Sequence, residues 1–86
     1  MKADRLELRY KRPTLKTHGH RQIIFNDKVL GYFIRQMDLR GYMKWYVLFD
    51  QSDYQDAHFF NRDEIKKYIV SQVKREGIKL LVMETK

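Results

Sequence analysis

The sequence predicts a small α+β domain: an antiparallel sheet (a three-stranded meander plus short flanking strands) packed against one C-terminal amphipathic helix. Three observations carry the prediction. Runs rich in β-formers recur between turn-forming residues from Leu6 to Phe49. One capped stretch with helical spacing follows, from Asn61 to Gly77. The length, 86 residues with 43% hydrophobic side chains, is enough for one core and too short for two, so residues 1–86 form a single domain.

Leu6, Leu8 and Tyr10 alternate with Glu7 and Arg9, the period-2 pattern of a short strand. Residues 11–20 have no apolar periodicity and are punctuated by Pro13 and Gly19, which marks a loop or arm. Arg21–Phe25 is a strand. Asn26-Asp27 suits the centre of a tight hairpin because both residues tolerate positive φ. Val29–Gln36 returns as the second meander strand, Met37–Tyr42 turns, and Met43–Phe49 is the third. Residues 50–57 are polar and acidic, hence a loop, and His58-Phe59-Phe60 is a short strand or an apolar lead-in.

The helix has the strongest local signals. Asn61 is an N-cap, Asp63 and Glu64 complement the dipole in the first turn, and Glu64 can reach back as in a capping box. Phe60 is expected to staple against Ile65. Ile65, Tyr68, Ile69, Gln72, Val73 and Glu76 share one face, apolar through Val73. Lys74 and Arg75 are expected at the C-terminal end of the dipole and Gly77 as the left-handed stop, before a final strand from Ile78 to Met83.

Pairing Ile24 with Val29 sorts the sheet faces by parity. Ile23, Leu30, Tyr32 and Ile34 fall on one side, and Ile24, Val29, Gly31, Phe33 and Arg35 on the other. The helix is expected over Trp45, Val47 and Phe49 with Ile23 and Leu30. The open face would then show Phe33, Arg35, Lys44 and Tyr46 together.

Net charge is +7 with 18 basic and 11 acidic side chains. Seven basic and two acidic residues give +5 over residues 1–21, four and five give −1 over 22–60, and seven and four give +3 over 61–86. Cationic ends around a nearly neutral aromatic middle point to a polyanionic partner. The expected interface for DNA or RNA comprises Arg9, Lys11, Arg12, Lys16 and Arg21 of the arm and its flanks. It continues through Arg35, Lys44 and Tyr46 of the sheet and Lys66, Lys67, Lys74 and Arg75 of the helix region. Basic side chains displace counterions from phosphates, and exposed rings stack on bases. The alternative is a protein-binding inhibitor or adaptor that docks on a host protein or nucleoprotein complex through Tyr10, Phe33, Tyr42, Tyr46 and Tyr54, since tyrosine combines contact area with a polar tip. Exposed strand edges also allow a homodimer.

Other chemistries find no support. The absence of cysteine excludes disulfides, thiolate zinc sites and cysteine nucleophiles. His18 and His20 have metal-compatible spacing but need further ligands, with His58 or Asp56 the nearest suppliers in type, so no metal is expected. No Gly-rich phosphate loop, cofactor fingerprint or nucleophile elbow is present, and no enzymatic activity is expected. No run approaches the roughly 18 apolar residues of a membrane span. The start, Met-Lys-Ala-Asp-Arg, lacks a signal peptide's apolar segment, so a cytoplasmic location is expected. In outline, a meander followed by a helix resembles several small DNA- and RNA-binding modules, integrase arm-binding domains among them. The size and charge resemble small phage accessory proteins that inhibit a host complex.

Overall fold

The computed structural model of the chain describes residues 3–86. Met1 and Lys2, the first residues of the Met-Lys-Ala-Asp-Arg start, lie outside them. The elements are β1 (Asp4–Lys11), β2 (His20–Phe25), β3 (Lys28–Met37), β4 (Met43–Phe49), β5 (Ala57–Phe59), α1 (Arg62–Val73) and β6 (Leu80–Thr85). They form one mixed six-stranded sheet, in the order β5-β4-β3-β2-β1-β6, with one short helix. Pairing is antiparallel except between β1 and β6, which run parallel. Such a parallel neighbour needs a crossover, and α1 supplies it by leading the chain from one sheet edge to the other.

One face of the sheet is sealed by the helix. Leu6, Leu8, Ile23, Leu30, Phe33 and Val47 meet Ile65, Ile69 and Val73, spaced 4 apart along one stripe of α1, and all nine are buried. Asn61 caps the helix by accepting from the Asp63 amide at 2.7 Å. Asn26 and Asp27 have φ of 48° and 69°, the left-handed pair that closes the β2–β3 hairpin. The Asn26 side chain also ties that turn to β1: Oδ1 accepts from the Arg5 amide at 2.9 Å, and Nδ2 donates to Asp4 at 3.0 Å.

The face assignment of β3 differs from the parity expectation, and a β-bulge is the reason. Ile24 does oppose Val29, but Ile23 opposes Gly31, leaving Leu30 as an extra residue. Beyond the bulge every β3 side chain changes sides. Phe33 and Arg35 therefore lie on the helix face, opposite Val47 and Trp45, and Tyr32 and Ile34 move to the open face. Gly31 permits the irregularity, because a Cβ there would stand 2.1 Å from the Leu48 carbonyl oxygen.

Two helix-end expectations are also corrected. Phe60 does not staple the helix start. Strand alternation sends Phe59 to the helix face, with its ring 5.4 Å from Tyr68, and leaves Phe60 68% exposed. At the other end, helix α1 stops at Val73 and Lys74 is already extended. Lys74 and Arg75 therefore lie beyond the last turn, and Gly77 uses its φ of 77° in the following turn, where the Ile78 amide donates to the Arg75 carbonyl at 3.3 Å.

Candidate nucleic-acid interface

Strand directions sort the charged segments to opposite ends of the sheet. The C-terminal ends of β1, β3, β5 and β6 meet the N-terminal ends of β2, β4 and α1 at the end that carries the arm. The acidic loop with Asp50, Asp53 and Asp56 joins β4 to β5 at the opposite end. The cationic arm and the acidic loop thus stand at opposite ends of the sheet.

The arm has local structure of its own. The Thr14 amide donates to the Thr17 carbonyl at 2.8 Å, and the Thr14 hydroxyl oxygen accepts from the Lys16 and Thr17 amides at 3.2 and 3.0 Å. This turn presents Leu15 and Lys16 to solvent. Gly19 brings the arm back against β1, where a Cβ would lie 3.2 Å from the Tyr10 hydroxyl. His20 and His18 meet through a ring-nitrogen contact of 2.9 Å to the His18 carbonyl.

Beside the arm, on the helix face, a cleft of about 150 Å³ is lined by Tyr10, Arg21, Arg35, Trp45 and Arg62 over the buried ring of Phe33. Two of the three arginines are held in place. Arg21 donates to the Leu8 and Thr85 carbonyls at 2.9 and 3.0 Å, and its guanidinium carbon stands 5.7 Å from the Tyr10 ring centroid. Arg62 pairs with Glu84 and lies 6.0 Å from the Phe33 ring centroid. Arg35 projects from β3 opposite Trp45 and is exposed. The hydrogen bond from Arg62 holds the Glu84 carboxyl below its ordinary pKa, with burial opposing and the charges of Arg62, Lys66 and Arg21 assisting. The guanidinium groups of Arg21 and Arg62 are thus fixed by backbone carbonyls, one carboxylate and ring faces, beside the exposed Arg35, an arrangement that suits phosphate oxygens and a flat base.

Among the described residues, no carboxylate lies within 4.0 Å of Lys11, Arg12, Lys16, Arg21 or Arg35. These five expected contacts share the arm end. Other expected contacts do not join them. Arg9 is paired with Glu7 at 2.6 Å, and Lys44 on the open face is paired with Asp38 at 3.1 Å. Lys66 lies 3.9 Å from Glu84, and Lys67 is exposed on the outer side of α1. Lys74 and Arg75 stand at the opposite end, where Arg75 is bound to Asp4.

The tyrosine set is likewise divided. Phe33 is 2% exposed and has no surface to offer a partner, because the bulge turns it into the core. Tyr54 stacks on Phe49 with ring centroids 5.1 Å apart, closing the bottom of the core instead of standing free. Tyr10 and Tyr42 are exposed at 41% and 61%. Tyr46 lies on the open face, its ring 5.9 Å from His58.

Sequence reasoning missed Arg62 and took Trp45 for core alone. A signal for Arg62 was present: a cation in the first turn opposes the helix dipole, so its position is explained by something outside the helix, here Glu84 and the cleft. Among the described residues no group of three or more His, Asp or Glu side chains is arranged to hold a metal, and no helix is long and apolar enough to cross a membrane. No family model matches this chain, and no curated protein or solved structure matches it.

Proposed function

We propose that this small basic α+β domain is a non-enzymatic nucleic-acid-binding module that grips its ligand at the arm end. Lys11, Arg12 and Lys16 contact phosphates along the arm, while Arg21 and Arg35 orient the backbone at the cleft and Trp45 offers a ring to an unstacked base. The observation that carries this reading is the juxtaposition of unpaired cations and an arginine–aromatic cleft at one end, with the acidic loop at the other. A polyanion approaching this electrostatic dipole is steered to the arm and repelled from the loop. Three arginines around rings favour single-stranded over duplex ligands, because stacking requires a base free of its pair.

The test is a titration of labelled duplex DNA, single-stranded DNA and RNA at two salt concentrations. Trp45, the single tryptophan, serves as an intrinsic probe. The reading expects tight binding at low salt, a steep loss with added salt and quenching of Trp45 by single strands. No binding of any of the three at low salt overturns it.

One observation favours protein docking instead. The face away from the helix carries Tyr32, Ile34, Tyr46 and Leu48 side by side, and among the described residues no element lies across them. Under this reading Tyr46→Ala weakens capture of a protein partner and leaves the fold intact.

A further inference from the structure

We propose that β6 is a self-pairing edge: two copies of the chain join antiparallel through Leu80–Thr85, about a two-fold axis at Val82, into one continuous sheet. The Asp4 amide donates to the Lys79 carbonyl at 2.9 Å, so Lys79 faces β1, and strand alternation turns Leu81, Met83 and Thr85 the same way. The N–H and C=O groups of Leu80, Val82 and Glu84 consequently point out of the sheet, and among the described residues no strand lies beyond β6 to receive them.

The two edges of the sheet are unlike. Strand β5 is only three residues long, and the Tyr68 hydroxyl donates to the Gln55 carbonyl just before it. Strand β6 is six residues long and has no proline, lysine or bulge within it, the usual devices that keep an edge from pairing. Its central side chains are apolar and open on both faces: Leu81 is 43% exposed, Val82 36% and Met83 44%.

Register selects a second copy as the occupant. Facing residues must share a sheet face, which restricts an antiparallel self-pairing to registers that match odd with odd and even with even. Centring the axis on Val82 sets Val82 against itself and Leu80 against Glu84 of the second copy. Those are the residues whose backbone groups are free, so every outward N–H and C=O of the three finds a partner. Moving the axis to Leu81 or Met83 leaves one of the three without its mate. In the Val82 register Leu81 faces Met83 on the open side, apolar against apolar. Glu84, the strand's one charged residue, faces Leu80 and keeps its bond to Arg62. No like charges oppose, and both helices lie on the same side of the joined sheet.

Sedimentation equilibrium on the full chain over a micromolar-to-millimolar series tests the proposal, together with Val82→Pro. Proline at this position removes an outward N–H and leaves the ladder to β1 complete. The expected results are a concentration-dependent dimer in the native chain and a folded monomer for Val82→Pro, or for Val82→Lys should the proline variant fail to fold. Register is read by disulfide formation in a chain that otherwise has no cysteine. Val82→Cys crosslinks under mild oxidation, because facing Cα atoms stand about 5.5 Å apart. Leu80→Cys does not, its counterpart lying about 13 Å along the second strand. A native chain that stays monomeric throughout the series, or a dimer that survives Val82→Lys with a native spectrum, overturns the proposal.

Discussion

The carboxylate of Asp4 accepts from both the Nε and a terminal nitrogen of Arg75, at 2.8 and 2.5 Å, joining the start of β1 to the chain just beyond the helix. The same carboxylate accepts from Asn26 in the β2–β3 turn at 3.0 Å. Asp4 is 4% exposed, so one carboxylate holds three segments at the end of the sheet remote from the arm. The hydrogen bond from Arg75, then that from Asn26, holds its carboxyl below the ordinary value of 3.8, with burial opposing.

That depression makes the fold acid-sensitive. The unfolded chain takes up the Asp4 proton before the folded one does, so the contribution is fully present above pH 3.8 and is lost as pH falls through the folded pKa. Glu7, Asp38 and Glu84 are depressed from 4.5, 3.8 and 4.5 and act in the same direction. Thermal melts followed by circular dichroism should show Tm falling as pH drops through this window. Asp4→Asn should lower Tm at pH 7 by about 5–10 °C and flatten the acid limb. An unchanged Tm in Asp4→Asn would show that this junction contributes nothing to stability.

Gly31→Ala should be severely destabilising. The new methyl would meet backbone at 2.1 Å, so β4 must move away from the bulge. The expected loss is about 3 kcal/mol, read by urea denaturation. A variant as stable as the parent would mean that β3 and β4 do not pair in this register.

Phe33→Ala and Tyr32→Ala discriminate between the two face assignments. With Phe33 in the core, its truncation should cost about 3–5 kcal/mol, whereas Tyr32→Ala on the open face should cost about 1 kcal/mol. The reverse ranking would restore the simple alternation without a bulge.

Replacing Lys11, Arg12 and Lys16 together by Glu should abolish low-salt binding of nucleic acid and leave Tm within about 2 °C, since surface sites of this kind carry little folding energy. Neutralising the three to Gln instead should reduce the slope of log K against log salt by about 1 per residue. A slope equal to that of the parent would remove the arm from the contact surface.

Much of the architecture is legible locally, and some of it is not, for definable reasons. The hairpin at Asn26-Asp27 and the cap at Asn61 are readable because each depends on a side chain acting on its own neighbouring backbone. The sides taken by Phe33 and Arg35 are not, because a bulge is defined by two strands and leaves one Gly as its trace. For the same reason the cleft was half-visible: Arg21 and Arg35 stood out as charges, while Arg62 acquires its neighbours only when α1 crosses the sheet.

By itself the sequence determined the α+β class, the order and approximate positions of the main strands and the helix, the cap, the tight turn and the cationic ends, all of which follow from periodicity, turn chemistry and composition. Only the tertiary structure decided that β6 lies parallel beside β1 at the far edge, that the bulge sends Phe33 inward, and that the arm and acidic loop occupy opposite ends. Those outcomes depend on which strands become neighbours, a choice set by burying one shared apolar face against α1, and no window of contiguous residues contains it.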